Sequence, residues 1–70
     1  MNWIQLDSSM LDRIRYDQNS KTLEIEFKGG RVYQYFNVPL HVFEGLRGAV
    51  DSHGKYFNAN IKGQYRYDHA

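Results

Sequence analysis

The sequence predicts an α+β domain in which a three-stranded antiparallel β-meander packs against one helix, with a short C-terminal helical turn or strand. Three observations support this prediction. Two β-rich runs surround Gly29-Gly30, a similar run precedes them, and an amphipathic segment follows Pro39. Seventy residues without cysteine leave room for one domain, residues 1–70, whose core comes from apolar and aromatic packing.

The first strand of the meander is predicted from Met10 to Tyr16. Its later half alternates apolar residues with Arg13 and Arg15, which is typical of a strand with one exposed, basic face. The turn formers from Asp17 to Ser20 then return the chain directly into the next strand. The opening segment WIQLDSSML has no consistent period, and it is either a cap on the core or an edge strand.

The second and third strands form a hairpin whose register depends on its turn. If Gly29-Gly30 alone makes the loop, Leu23 faces Phe36. If Lys28 joins the loop as a three-residue turn with a bulge at the second glycine, Leu23 faces Tyr35. The slip of one residue exchanges the two faces of the third strand, so the turn decides which aromatic rings enter the core.

Tyr33 and Tyr35 are the rings that this choice affects most. They either pack in the core or stack against a ligand at the surface. The chain has few aliphatic residues but six tyrosines and four phenylalanines, so its core needs aromatic rings. This need favours the bulged turn and makes the hairpin mainly a scaffold.

A helix is predicted from about Leu40 to Val50, after Pro39 ends the third strand. Its apolar residues recur at helical spacing on one face, although Gly45 and Gly48 weaken it. The exit of this helix is predicted at Asp51-Ser52-His53-Gly54, with Gly54 able to take the left-handed conformation.

Two shorter segments complete the chain. Residues Lys55 to Ile61 are predicted to form a turn or one helical turn, because Asn58 and Asn60 interrupt the apolar pattern. The tail GQYRYDHA alternates tyrosines with polar residues, and it is either a fourth strand or a frayed end.

The residue pattern argues against an enzyme, a metal site and a membrane protein. The histidines His41, His53 and His69 are scattered, and no catalytic or phosphate-loop motif is present. Glu24 and Glu26 share one strand face and are interpreted as an exposed polar face. No apolar run approaches the roughly 18 residues of a membrane span. The sequence therefore predicts a non-enzymatic, cytoplasmic protein without a cofactor.

Residues 52–67 form a basic segment, because they contain three cationic residues and no acidic one. Aromatic rings lie between the cations, a pattern typical of proteins that bind single-stranded nucleic acid through phosphates and stacked bases. The predicted contact residues are His53, Lys55, Tyr56, Asn58, Lys62 and Arg66.

The predicted partner is RNA or single-stranded nucleic acid. The alternative is a protein-binding adaptor, such as a phage-encoded accessory factor, because surfaces rich in tyrosine and arginine also make protein hot spots. A homodimer through an edge strand is a further possibility.

Several short motifs are spread along the chain from about Ser8 to Tyr67. They are Ser8-Ser9, Ile14-x-Tyr16-Asp17, Leu23-x-Ile25-x-Phe27, Gly30, Tyr33-x-Tyr35, Val38-Pro39 and Ser52-x-Gly54-Lys55-Tyr56-Phe57-Asn58 with Ile61. Together they resemble the KTSC domain family, which is named after the C-terminal extension of some lysyl-tRNA synthetases. The resemblance implies the stand-alone form that occurs in small bacterial and phage proteins. It also implies an RNA-binding role, through the association with a synthetase, and it brings no catalytic residues.

Overall fold

The computed structural model describes residues 2–49 and 52–70, and within them the chain forms one antiparallel sheet and two helices. The elements are β1 (Ile4–Gln5), β2 (Leu11–Asp17), β3 (Thr22–Phe27), β4 (Val32–Tyr35), α1 (Leu40–Arg47), α2 (His53–Asn60) and β5 (Tyr67–His69). The strands lie in the sheet in chain order. The α+β class is confirmed, but the prediction of three strands and one helix was wrong in detail.

The additional strands are the two edges of the sheet. β1 pairs with β2 through two residues, so the opening segment forms an edge strand. β5 pairs with β4 through three residues, so the tail is a strand. Strands this short contain too few residues to show a period of two, and only their pairing with a longer neighbour defines them.

The β3–β4 hairpin has the bulged turn that the sequence favours. Leu23 faces Tyr35. The N–H of Gly30 donates to the carbonyl of Phe27 at 3.0 Å, and the φ angles of Gly29 and Gly30 are 103° and 98°. Both glycines occupy the left-handed region, where a side chain is strained, so the turn depends on them.

Helix α1 begins after Pro39 and ends at Arg47, and the predicted end at Val50 lies outside the described residues. Its buried face consists of Val42, Phe43 and Leu46. Leu40, which the apolar pattern assigns to the same face, is exposed at the first helical position.

Helix α2 begins where the sequence predicts the end of a helix. The Oγ of Ser52 accepts a hydrogen bond from the N–H of Lys55 at 3.1 Å, so Ser52 is an N-cap. Gly54 lies inside the helix and is buried against Met10, so its predicted left-handed conformation was wrong. Asp51, which the predicted exit includes, lies outside the described residues.

The core fills the space between the two helices and one face of the sheet. Phe57 of α2 packs edge-on against Phe27 and Tyr35, with centroid distances of 5.3 and 5.7 Å. On α1, Phe43 stacks on Tyr16 at 4.8 Å. Tyr35 is only 4% exposed, so this ring belongs to the core.

The opposite face of the sheet, here called the outer face, is polar. Arg13 and Arg15 pair with Glu26 and Glu24 across β2 and β3, and the Trp3 ring lies 4.5 and 4.3 Å from the two guanidinium carbons.

Glu24 lies at the centre of the outer face and is only 7% exposed. Gln34 donates to its carboxylate at 2.7 Å from the neighbouring strand, and Arg15 donates from the other side. The interpretation of Glu24 as an exposed residue was wrong, because the polar side chains of both flanking strands cover it.

Acidification is expected to destabilise the fold through Glu24. Burial acts to raise the pKa of Glu24, but hydrogen bonds from Gln34 and Arg15 outweigh it, and the net pKa is lowered. A lowered folded pKa stabilises the fold fully above the unfolded pKa of about 4.3, and this contribution disappears as the pH falls through the folded value. Thermal unfolding from about pH 7 to about pH 3 measures this loss.

The variant Glu24→Gln is expected to melt at a lower temperature near neutral pH and to lose less stability on acidification. The matched control is Glu44→Gln, which replaces an exposed carboxylate of α1. An equal flattening of the pH profile in both variants would contradict the role given to Glu24.

Candidate functional site

A groove of about 350 Å³ lies between the β3–β4 hairpin, β5 and the loop that follows α2. Its lining combines aromatic rings with cationic side chains. The rings are Phe27, Tyr33, Tyr35, Phe57 and Tyr67, and the cations are Lys28, Arg31 and Lys62. Among the described residues, the lining contains no carboxylate. We call this site the aromatic groove.

The register of the sheet positions the tyrosines of the aromatic groove. Tyr33 and Tyr35 are two residues apart on β4 and therefore share a face, and Tyr67 of β5 lies directly opposite Tyr35. The rings of Tyr33 and Tyr67 stack with centroids 5.6 Å apart and planes 26° apart. Tyr67 is nonetheless 57% exposed, so it offers an aromatic surface to a ligand.

The cations of the aromatic groove come from two loops. Lys28 and Arg31 flank the glycines of the hairpin turn, and Lys62 follows α2 next to Gly63, whose φ is 78°. The Nζ of Lys28 lies 3.4 Å from the Oδ1 of Asp12. Arg31 and Lys62 form no ion pair with any acidic residue in the parts of the chain that the structure describes.

Tyr35 is the most deeply buried tyrosine of the aromatic groove. Burial, together with the nearby Tyr33 and Tyr67 hydroxyls, raises the pKa of Tyr35 to about 12. The hydroxyl therefore stays protonated near neutral pH and can donate a hydrogen bond.

Three of the residues that the sequence singles out line the aromatic groove, namely Tyr33, Tyr35 and Lys62. Two others lie at the contact between the helices. The Nδ1 of His53 is 2.7 Å from the carbonyl oxygen of Leu46, and the ring of Tyr56 lies against Gly45. Both side chains therefore contact α1 instead of lining the aromatic groove.

The remaining predicted contact residues lie apart from the aromatic groove. Lys55 and Asn58 are exposed on α2, and neither lines it. The guanidinium carbon of Arg66 lies 5.6 Å from the centroid of the Phe36 ring, outside the lining. The structure thus divides the predicted contact residues among several surfaces. That they bind nucleic acid stays a prediction.

The structure adds Lys28, Arg31 and Tyr67 to the candidate residues. The sequence contained a signal for the first two, because cations on both sides of a glycine turn project from the same end of a hairpin. Their place in a hairpin with a predicted scaffold role kept Lys28 and Arg31 out of the predicted contact residues. Tyr67 was missed because its position depends on the pairing of β5 with β4.

The described residues hold no candidate metal site. Residues 2–49 and 52–70 contain no cluster of three or more histidine or acidic side chains that could hold a metal ion. In the same ranges, neither helix has the length and apolar character needed to cross a membrane.

The sequence model of the KTSC domain family matches residues 7–65, which is most of the chain. The chain belongs to the KTSC domain family. A crystal structure of a KTSC domain protein from Yersinia pestis superposes on it with a TM-score of 0.89 and 30% identity, covering 99% of this chain and 96% of that one. The resemblance carried by the sequence motifs is thereby confirmed.

Relatives of this KTSC domain occur in two settings. The chain is 44% identical over 62 residues to a lysine–tRNA ligase of Nostoc sp., and the match covers 89% of this chain but 11% of the ligase. It is also 43% identical over 68 residues to an uncharacterized protein of Stutzerimonas stutzeri, and this match covers 94% of that protein. The KTSC domain thus spans a small part of the ligases and nearly all of the second relative.

Proposed function

We propose that this KTSC domain is a non-enzymatic, cytoplasmic module that binds single-stranded nucleic acid, with RNA as the first candidate, through the aromatic groove. The observation that carries the proposal is the lining, in which Lys28, Arg31 and Lys62 lie around aromatic rings without a described carboxylate among them. Single-stranded nucleic acid presents phosphates and unstacked bases, which bind cations and aromatic rings respectively.

The lysine–tRNA ligases support RNA over DNA as the first candidate. Their name describes an activity on tRNA, and a segment of each is similar to nearly the whole of this chain. That activity belongs to the ligases, of which this chain spans 11%. The similarity therefore supports an RNA ligand for the module and no catalytic step.

A protein partner is the second candidate, and the exposed edge of the sheet favours it. All three residues of β5 are exposed, so an extended peptide has access to this edge. The strand is short, which limits the number of main-chain hydrogen bonds that a peptide can form there. The aromatic groove therefore carries the first proposal.

Binding of a fluorescently labelled single-stranded RNA is expected to weaken as salt rises. Each phosphate contact to a single strand contributes a slope of about −0.7 in log affinity against log salt. Contacts from Lys28, Arg31 and Lys62 therefore predict a loss of roughly 20-fold between about 50 and 200 mM salt. Fluorescence anisotropy titrations at both salt concentrations measure this loss. Absence of binding at the lower concentration would eliminate the proposed function.

Single substitutions locate the surface that binds. Arg31→Ala and Lys62→Ala are each expected to weaken binding and to reduce the salt slope by about 0.7. The matched control is Lys55→Ala, which removes an exposed cation of α2 outside the aromatic groove. Weaker binding in Lys55→Ala alone would move the interface to the surface of α2.

A further inference from the structure

We propose that the aromatic groove holds one unstacked nucleobase at a time, with the phosphates on either side of it bound by the hairpin cations and by Lys62. This inference rests on the proposed function and names the unit of nucleic acid that is recognised. Small-molecule sites occupy about 300–1,000 Å³. The 350 Å³ of the aromatic groove lies at the lower end of that range, which suits one nucleotide better than a run of several.

Tyr67 supplies the stacking surface for the base. One face of its ring is covered by Tyr33, with the ring planes 26° apart. The ring of Tyr35 also lies 5.6 Å from that of Tyr67, with the planes 32° apart, yet Tyr67 is 57% exposed, so part of its ring stays accessible to a ligand. A ring that a second ring supports from behind loses little freedom when a base stacks on it, and stacking on such a ring tolerates any base.

The floor of the aromatic groove limits how far a base enters. The Phe57 ring packs edge-on against the rings of Phe27 and Tyr35, with centroids 5.3 and 5.7 Å apart. Phe57 and Tyr35 belong to the buried core and cannot withdraw without disrupting it. The core therefore fixes this part of the groove. Among the rings of the described lining only Tyr67 is largely exposed, so a second base finds no comparably exposed ring there.

The cations of the groove belong to two separate elements. Lys28 and Arg31 lie in the hairpin turn, whereas Lys62 lies in the loop after α2. A nucleotide within a strand has a phosphate on each side of its base, so two separate sources of positive charge match it. A base within a duplex is stacked on both faces and must leave the stack before it can enter such a site.

The test compares ligands of increasing length at low salt, using uridine monophosphate, a uridine trinucleotide, a uridine decanucleotide and a blunt RNA duplex. The decanucleotide offers more binding positions than the trinucleotide, which raises its apparent affinity. After correction for this statistical factor, we expect the two to bind nearly equally tightly. The duplex should bind at least tenfold more weakly. A steep rise in affinity from three to ten nucleotides would overturn the one-base site while leaving the proposed function intact. Failure of every ligand would overturn both.

The monophosphate distinguishes a free nucleotide from a strand as the source of the base. Binding weaker than that of the trinucleotide supports a base held within a strand, because the monophosphate has one phosphate. Equal affinity would overturn the role of the two flanking phosphates. Shifts of the tyrosine ring resonances in NMR spectra, recorded with each ligand, show whether the base reaches the aromatic groove.

A substitution of Tyr67 tests the stacking surface itself. Tyr67→Leu keeps an apolar side chain on β5 but removes the ring, and it is expected to weaken trinucleotide binding about 5- to 150-fold. Tyr67→Phe is the matched control, because it retains the ring and should bind within about twofold of the original. Circular dichroism establishes that both variants are folded. Unchanged binding by folded Tyr67→Leu would overturn the assignment of Tyr67.

Discussion

Phe57→Ala is expected to remove most of the stability of this domain. Phe57 is 3% exposed and packs against Phe27 and Tyr35, so its loss leaves a cavity between α2 and the sheet. Substitutions of this kind cost about 3–5 kcal/mol. A domain of this size has a free energy of unfolding of about 3.5–10 kcal/mol at the usual stability per residue. Urea denaturation followed by circular dichroism measures the loss.

The adjacent residue supplies the matched control for this prediction. Asn58→Ala alters an exposed position on the same helix and should change the free energy of unfolding by less than about 0.5 kcal/mol. Phe57→Leu retains part of the buried volume, so its loss in free energy of unfolding should lie between those of Phe57→Ala and Asn58→Ala. Similar unfolding midpoints for Phe57→Ala and Asn58→Ala would mean that Phe57 is not essential to the core.

The hairpin shows what the sequence was able to predict. Alternation along β3 defines its buried face, and a pair of glycines permits only a few turns, so the register of Leu23 opposite Tyr35 followed from the need for aromatic rings in the core. Local pattern and core composition favoured the same register here. The α+β class followed from the same reasoning.

Helix α2 shows why other elements were not predictable. Its segment HGKYFNAN contains glycine and two asparagines, which are weak helix formers. The helix forms because Ser52 caps its first turn and because Phe57 and Ile61 are buried against the sheet. The burial depends on the rest of the fold, and Ser52, whose cap is a local contact, was assigned to the exit of the preceding helix, so the propensity of the segment pointed to a turn.

The candidate site was only partly predictable for a related reason. The sequence showed a continuous basic segment, residues 52–67, whereas the aromatic groove combines Lys62 of that segment with Lys28 and Arg31 of the hairpin. Two other residues of the segment, His53 and Tyr56, instead lie where α2 meets α1. A binding surface assembled from distant parts of the chain requires the tertiary structure to define it.

Gly45→Ala is expected to destabilise the domain by up to about 2 kcal/mol, although alanine is the better helix former. A Cβ atom at Gly45 would overlap the hydroxyl of Tyr56 and lie 2.5 Å from its ring carbon Cζ, so the ring would have to move. Overpacking of this kind costs about 1–3 kcal/mol, and the higher helix propensity of alanine offsets about 1 kcal/mol of it. Chemical denaturation measures the net change.

A double-mutant cycle separates the two contributions to the effect at Gly45. In a Tyr56→Ala background the obstructing ring is gone, so Gly45→Ala should reverse its sign and stabilise the domain by up to about 1 kcal/mol. Gly48→Ala is the matched control at the end of the same helix, because the nearest atom to its added Cβ is the carbonyl oxygen of Glu44 at 3.3 Å. Its effect should not depend on Tyr56. If Gly45→Ala were equally destabilising in both backgrounds, the close approach of α2 to α1 would not be the reason for glycine at this position.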